Sequence, residues 1–264
     1  MILLDGLQVG ESPRWHDGRL WFCHWGAGEV LAVDAGGAVE VVARVDTTIP
    51  FSIDWLPDGR LLILSGPERR LLDYADLGGL GGSVFNEIVV APNGNAFVNG
   101  GSGFEGPWIV AVVTPDGEAR EVAGGVKFPN GMAVTPDGST LIVAESYGRC
   151  LTAFDVAPGG DLSNRRTWAD CGEGVPDGIC LDEQGAVWYA DVPNRRCVRV
   201  REGGEVLDTV QLDRGCFACM LGGDDGRDLF ILAAEWLGME RMFDGPPTGQ
   251  VVVSRAPAAH AGRP

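Results

Sequence analysis

The sequence is poor in basic side chains and in histidine, and it has no long hydrophobic run. Its 20 Lys and Arg are outnumbered by 37 Asp and Glu, for a formal net charge of −17. This charge argues against nucleic acid and anionic lipid as partners, because both need a basic face. Three histidines are too few and too scattered for a His-based zinc site. No apolar stretch reaches ~18 residues, so no membrane span is expected.

The N-terminal residues lack the basic region and apolar core of a secretory signal, which favours a cytoplasmic protein. The seven cysteines are odd in number and do not imply a complete disulfide framework. Cys216 and Cys219 have the spacing of a redox or metal pair, but no second pair accompanies them and they lie in a strand pattern. No Gly-x-Ser-x-Gly word is present, and no Gly-x-Gly-x-x-Gly word leads from a strand into a helix. Covalent acyl transfer and nucleotide chemistry are therefore disfavoured.

What the sequence does contain is one short phrase in six copies: a turn ending in Gly, followed by an apolar run. The turn glycines are separated by 41, 35, 44, 47 and 41 residues. A period near forty, with strands and tight turns in each unit, is typical of radial β-repeats. The six turn glycines are Gly18, Gly59, Gly94, Gly138, Gly185 and Gly226.

Each unit reads as four short strands, which is one blade of a propeller. In the fourth unit these strands are expected at 131–134, 140–144, 150–155 and 166–169, and no helical period of useful length appears anywhere. The fold class predicted for residues 1–264 is therefore all-β, a single six-bladed β-propeller domain. An early strand at 2–4 should pair with a late strand at 250–254 and close the last blade. Residues 256–264 are expected to form a frayed tail.

The first strand of each blade lines the central channel, so residues at the same offset in each repeat lie at the same height around it. Counting back eight residues from the turn Gly reaches Asn86, Asn130 and Asp177, and Glu11 lies seven residues before the first turn Gly. Four of six blades therefore direct an oxygen-bearing side chain to one place. Two carboxylates and two amides are hard ligands that suit Ca²⁺, Mg²⁺ or Mn²⁺. Two carboxylates at a narrow channel mouth would also be costly without a cation.

The other two units offer no such group at this level. The second has Phe51 and Ser52, and the sixth has Ala218 and Cys219. For any one Asn or Asp, capping a strand or hydrogen bonding a turn is an alternative role. It is the matched offset of four residues that favours a cation site.

Three of these positions lie in the words Gly10-Glu11-Ser12-Pro13-Arg14-Trp15, Phe128-Pro129-Asn130-Gly131-Met132-Ala133 and Val175-Pro176-Asp177-Gly178-Ile179-Cys180. These words resemble a known family, that of senescence marker protein, gluconolactonase and luciferin-regenerating enzyme. The resemblance covers essentially the whole chain, and it implies one divalent cation held by Glu11, Asn130 and Asp177. Ca²⁺ is the first choice, with Mn²⁺, Mg²⁺ or Zn²⁺ as alternatives. It also implies a substrate-binding role for Asn86 and, through the family's lid Glu, for Glu105.

The chain departs from this family at Val84, where sugar-lactone members have an Arg two positions before the substrate-binding Asn. The departure points to a less polar lactone or ester than gluconolactone. Phe51, Phe104 and Trp108 are candidates for an apolar wall, with core packing as the alternative for each.

The predicted function is metal-dependent hydrolysis of a lactone or related ester, in which the cation polarises the carbonyl and water attacks it. Asp177 is the general base that the resemblance implies. Its dual role as ligand and base is awkward, because ligation lowers basicity, and Glu145 or Glu235 could share the task. The expected partner is a small molecule, and the chain is expected to be a monomer or small homo-oligomer. Two alternatives stay open: the same site acting on a phosphotriester, and a non-catalytic propeller that binds calcium or a partner protein.

Overall fold

The chain folds into short antiparallel strands arranged as six sheets around a central channel. The structure is a computed structural model and describes residues 1–103 and 106–264. In chain order the strands are β1 (Ile2–Leu7), β2 (Gly10–His16), β3 (Arg19–His24), β4 (Glu29–Val33), β5 (Val39–Arg44), β6 (Phe51–Trp55), β7 (Leu61–Ser65), β8 (Arg70–Leu71), β9 (Ala75–Asp76), β10 (Val84–Val90), β11 (Ala96–Gly101), β12 (Trp108–Val113), β13 (Ala119–Gly124), β14 (Pro129–Val134), β15 (Thr140–Glu145), β16 (Cys150–Val156), β17 (Leu162–Asp170), β18 (Pro176–Asp182), β19 (Val187–Asp191), β20 (Arg196–Val200), β21 (Val206–Gln211), β22 (Gly215–Gly222), β23 (Asp228–Ala234), β24 (Gly249–Arg255) and β25 (His260–Ala261).

Five blades are each formed by four consecutive strands with the first strand innermost, and the sixth combines β22, β23 and β24 with β1. Blades one to five begin with β2, β6, β10, β14 and β18, and blade six begins with β22. Each of these inner strands contacts the inner strand of the next blade, and the ring closes between β22 and β2. The predicted six-bladed β-propeller with four-stranded blades is confirmed.

The ring is closed by the start of the chain, as predicted. β1 forms the outer edge of blade six by pairing antiparallel with β24, with Ile2 opposite Val252 and Leu4 opposite Val251. The blade therefore combines strands from both ends of the chain. This arrangement covers a sheet edge that would otherwise expose unpaired backbone groups.

The last residues do not form the frayed tail expected from their composition. β25 pairs with the inner strand of blade five, with His260 opposite Asp182 and Ala261 opposite Leu181. Arg263 then exchanges two backbone hydrogen bonds with Val134, at the end of the inner strand of blade four. Backbone groups left free at the ends of inner strands provided partners that local composition does not reveal. The segment therefore lies across the channel end opposite Asp177.

The hydrophobic core lies between neighbouring blades. The middle strands contribute large side chains that are fully buried, including Phe22, Phe97 and Trp188. Helix is almost absent from the described residues: one 3-10 turn, Met239–Arg241, lies in the long connection between β23 and β24. None of the helical structure described is long and apolar enough to span a membrane.

The glycines that follow Asn130 and Asp177 are explained by how closely the inner strands approach. A Cβ on Gly131 would lie 2.6 Å from the carbonyl oxygen of Asp177, and one on Gly178 would lie 2.4 Å from the Cβ of Ala218. Only Gly fits where two backbones approach this closely. The Asn-Gly and Asp-Gly words thus combine a channel-facing side chain with the contact that holds adjacent blades together.

We expect Gly178→Ala to reduce the free energy of unfolding by about 1–3 kcal/mol, the usual cost of overpacking. The added methyl group would clash with the Cα of Ala218, at 2.7 Å, as well as with its Cβ. Denaturant unfolding measures the effect. Gly79→Ala is the matched control, because a Cβ there meets nothing within 4 Å. Equal stability of the two variants would contradict the close-packing explanation.

Candidate functional site

Five of the six inner strands carry an irregularity in register at the same height. The shifts lie between Glu11 and Arg14, Phe85 and Glu87, Pro129 and Met132, Pro176 and Ile179, and Cys216 and Ala218. A bulge of this kind redirects a side chain out of the regular alternation. The exception is blade two, where β6 and β7 pair without a shift.

These irregularities bring five side chains to one cavity of about 260 Å³ at the channel mouth. The polar base of the cavity is formed by the four residues predicted from their repeat offsets, together with Ser146. The fifth bulge contributes Phe217, so the prediction that Ala218 and Cys219 occupy this level in blade six is wrong by one residue. The five side chains at these register shifts are those of Glu11, Asn86, Asn130, Asp177 and Phe217.

Hydrogen bonds fix the amides of the site. Asn86 Nδ2 donates to Asn130 Oδ1 at 3.0 Å, which joins blades three and four. Asn99 Nδ2 donates to the backbone carbonyl of Asn130 at 2.6 Å. Ser146 Oγ donates to the carbonyl of Pro176 at 2.7 Å and ties blade four to blade five beside Asp177. The site is therefore held from three neighbouring blades.

Glu11 is buried and Asp177 is half-buried with its Oδ1 covered, and both carboxylates lie close to other negative charges. Burial raises the pKa of Glu11 well above its usual value, and the charges of Asp177 and Glu87 raise it further. Burial likewise raises the pKa of Asp177, with added repulsion from Glu87 and Asp191, while the Asn130 side chain lowers it. Asp177 Oδ1 is buried without a hydrogen-bond partner in the described part of the chain. An ionised pair in this state requires a positive partner.

Arg14 provides the nearest positive charge, but its guanidinium is engaged below the site. Its Nη2 donates to Glu87 Oε1 at 3.2 Å and to the carbonyl of Ile88 at 2.6 Å, and its Nε lies 3.8 Å from Asp54. Ser12 Oγ also donates to Glu87 at 3.0 Å. Glu87 and Asp54 therefore take up the charge of Arg14, which leaves Glu11 and Asp177 in excess.

The backbone is strained next to two of the site residues. Ser12 has a φ of 52° and Phe128 a φ of 54°, in the left-handed region that side chains other than Gly disfavour. Ser12 follows Glu11, and Phe128 comes two residues before Asn130. Strain of this kind concentrates at functional sites.

The residues present fit a hard divalent cation. Among the described residues, no three His, Cys, Asp or Glu side chains are grouped so that they could hold a metal. A cation here would therefore use the carboxylates of Glu11 and Asp177 together with an amide oxygen such as Asn130 Oδ1, which accepts a hydrogen bond from Asn86. Such an all-oxygen set suits Ca²⁺, Mg²⁺ or Mn²⁺ better than Zn²⁺. The unpartnered Oδ1 of Asp177 is the observation that points to a bound group.

Four further residues are predicted from the sequence to act at the site. Glu105 and Phe104 lie outside the described residues. Glu145 is not at the cavity: it accepts hydrogen bonds from Lys127, Thr152 and Arg165. Glu235 lines a separate cavity under the β23–β24 connection. Neither is placed to share the proton transfer with Asp177.

The remaining sequence candidates are buried in the fold. Phe51 is fully buried in the core between blades one and two rather than in a cavity wall. Cys216 and Cys219 are buried, free thiols, and burial raises the pKa of Cys219 well above its usual value. A buried thiol of this kind is unreactive, so these cysteines pack as small apolar side chains.

Three features of the site have no recognisable signal in the sequence. Phe217 was missed because the repeat offset does not reveal the bulge at Cys216–Ala218. Glu87 has no pattern that distinguishes it from other neighbours of Asn86, although its charge raises the pKa of both Glu11 and Asp177. Trp236, Met239 and Met242 come from a connection without repeat character.

The class of protein is a six-bladed propeller with two carboxylates and two amides at its channel mouth. Comparison with known proteins identifies its family. Residues 9–235 match the family described as SMP-30/Gluconolactonase/LRE-like region. The chain belongs to this family. It is 30% identical to regucalcin of Danio rerio over 273 residues, which cover 90% of this chain and 87% of that protein.

Two further similarities connect the chain to lactonases. L-arabinolactonase of Azospirillum brasilense is 32% identical over 135 residues, or 50% of this chain and 44% of that enzyme. Among solved structures, a gluconolactonase of Xanthomonas campestris superposes with a TM-score of 0.76 at 22% identity, covering 96% of this chain and 89% of that one. At this identity the superposition shows a shared fold.

Proposed function

We propose that this protein is a divalent-metal-dependent hydrolase of a lactone or related ester. The observation that carries the proposal is the convergence of two carboxylates with raised pKa values and two amides on one cavity. The similarity to proteins named as lactonases supports the reaction class. The substrate is a small molecule.

Glu11, Asn130 and Asp177 would hold the cation, with Ca²⁺ the first choice. When bound, a divalent cation acts as a Lewis acid on the carbonyl of the substrate and stabilises developing negative charge. Its charge would also remove the repulsion between Glu11 and Asp177 that the protein alone leaves uncompensated.

The other steps are assigned to side chains of the chain itself. Asp177 accepts the proton of the attacking water, because its buried Oδ1 has no partner among the described residues. An amide carries two N–H donors. One N–H of Asn86 is used by Asn130, and the second orients a substrate oxygen. The apolar side chains around the base limit the access of bulk water.

The test is hydrolysis of a lactone panel by chelator-stripped protein, with Ca²⁺, Mn²⁺, Mg²⁺ and Zn²⁺ restored one at a time. The same samples are melted. A cation at 100 times its Kd should stabilise the fold by about 2.7 kcal/mol, which for a chain of this size raises Tm by about 5–10 °C. Glu11→Gln should reduce this shift, whereas Glu235→Gln, at the separate cavity, should keep it.

Four outcomes of this test bear on the candidate functions. Lactone turnover restored by a cation supports the proposal. Turnover of a phosphotriester alone would assign the same site to another electrophile. A cation-dependent rise in Tm without turnover of either class would support a binding protein, and no rise with any cation would remove the metal from the proposal.

A further inference from the structure

The cavity is polar only at its base, and its walls are apolar. Above Glu11, Asn86, Asn130 and Asp177, most of the lining comes from aromatic and aliphatic side chains. No Lys, Arg or His is found among the described residues that line it. A heavily hydroxylated ligand would lose hydration against such walls without gaining hydrogen bonds. The lining side chains that carry the argument are Trp25, Phe128, Tyr147, Phe217, Trp236 and Met239.

One wall is an aromatic cluster on blades three and four. The rings of Phe128 and Tyr147 stack with centroids 4.5 Å apart and an interplanar angle of 21°. Trp108 packs edge-on against both rings, at 5.7 and 5.8 Å. The Nε1 of Trp108 donates to the carbonyl of Gly103 at 3.0 Å. Trp108, a sequence candidate for the apolar wall, therefore supports that wall from behind.

The second wall belongs to blade six. Trp236 packs edge-on against Phe217 with ring centroids 5.7 Å apart, and Met239 and Met242 of the β23–β24 connection extend this surface. Tyr147, Trp236 and Met239 keep 55%, 37% and 47% of their surface exposed. Large apolar side chains that are exposed together around a cavity mark a surface that a ligand covers.

We infer that the substrate is a lactone or ester carrying an apolar alkyl or aryl substituent. Its carbonyl lies at the polar base, and the substituent lies against the two walls. This inference rests on the proposed function. The cavity of about 260 Å³ is slightly smaller than the range of about 300–1,000 Å³ usual for small-molecule sites, so the substituent must be short.

The experiment compares γ-lactones with unbranched alkyl chains of increasing length, and gluconolactone, on the metal-loaded protein. Each buried methylene should raise kcat/KM by about fourfold, since its burial is worth about 0.8 kcal/mol. The gain should level off when the chain fills the cavity. Gluconolactone should be the poorest substrate of the panel. A preference for gluconolactone, or no dependence on chain length, would overturn the inference.

A pair of variants assigns the effect to the second wall. Trp236→Ala should lower kcat/KM for the longest lactone by about tenfold or more, since a large side chain contributes about 1.5–3 kcal/mol through apolar contact, and should leave γ-butyrolactone almost unaffected. Leu237→Ala is the matched control, because Leu237 is 43% exposed but faces the separate cavity. Equal effects of the two variants would contradict the role of this wall.

A binding measurement keeps the inference independent of turnover. The probes are γ-lactams with the same alkyl chains, titrated into the metal-loaded protein by calorimetry. Kd should fall by about fourfold per methylene. Turnover without chain-length dependence would overturn the inference and leave the proposed function. Chain-length-dependent lactam binding with no lactone turnover would overturn the proposed function and leave the apolar ligand class, and Kd values independent of chain length would overturn the inference.

Discussion

Replacing Asp177 by Asn is expected to lower kcat/KM for lactone hydrolysis by at least about a thousandfold, within the range for loss of a general base. The substitution removes both the proton acceptor and one of the two carboxylates that would hold the cation. In the same variant the metal-free protein should melt at a higher temperature than wild type at neutral pH. The reason is that the ionised carboxylate is repelled by Glu87 and by Glu11, and its buried Oδ1 has no partner in the described part of the fold.

The opposite signs of these two effects make the prediction specific. A residue that only supported the fold would lose activity and stability together. Asp137→Asn is the control, because Asp137 lies in an exposed turn and hydrogen bonds Thr135 and Ser139. The measurements are steady-state kinetics with the restored cation and thermal melting after chelation. Activity within tenfold of wild type would remove Asp177 from the base role, and a lower Tm of the metal-free variant would contradict the charge repulsion.

Replacing Arg14 by Met should have the largest effect on stability, a loss of about 3–5 kcal/mol. The guanidinium is 5% exposed and bridges Glu87 and Asp54 from below the site. Without it both carboxylates remain buried and unpaired, because Met has a similar length but no charge. Asp54 keeps hydrogen bonds from the backbone N–H groups of Trp55 and Val90, and Glu87 keeps those from the Ile88 N–H and from Ser12 Oγ.

Arg44→Met is the control for this measurement. Arg44 also pairs with a carboxylate, that of Glu29, but its side chain is 73% exposed. An exposed pair contributes about 1 kcal/mol or less. Denaturant unfolding should therefore separate the two variants clearly. The double variant with Arg14→Met and Glu87→Gln should recover part of the loss, since it removes one of the stranded charges. Similar stabilities for the two single variants would show that the buried network is not needed.

The two ends of the chain pair with different parts of the propeller. β1 completes blade six, as the apolar residues at the two chain ends predicted. β25 and Arg263 bind the ends of β18 and β14 at the opposite mouth of the channel. The short polar and Ala-rich sequence there gave no strand signal, because its pairing partners lie far away along the chain.

How far the site could be predicted depends on whether it follows the repeat. Glu11, Asn86, Asn130 and Asp177 were located because residues at equal repeat offsets lie at equal height in a propeller, and all four line one cavity. In blade six the same repeat offset points to Ala218 instead of Phe217, because the bulge between Cys216 and Ala218 shifts the register by one residue. Glu145 is a candidate for a second base from the sequence alone. In the structure its carboxylate accepts hydrogen bonds from Arg165 and Thr152, and these partners could not be read from the sequence.

The sequence by itself determined the architecture: six units with a period near forty, each with strands and a glycine turn, can bury their apolar faces only by stacking in a ring. It also determined which polar side chains meet, since that follows from the same periodicity. The tertiary structure alone decided the environment of those side chains. The buried charges around Asp177, the engagement of Arg14 and the apolar walls from Phe128 to Trp236 all arise between blades. They depend on bulges and on a long connection, whose contacts join residues far apart in the chain and leave no local pattern to read.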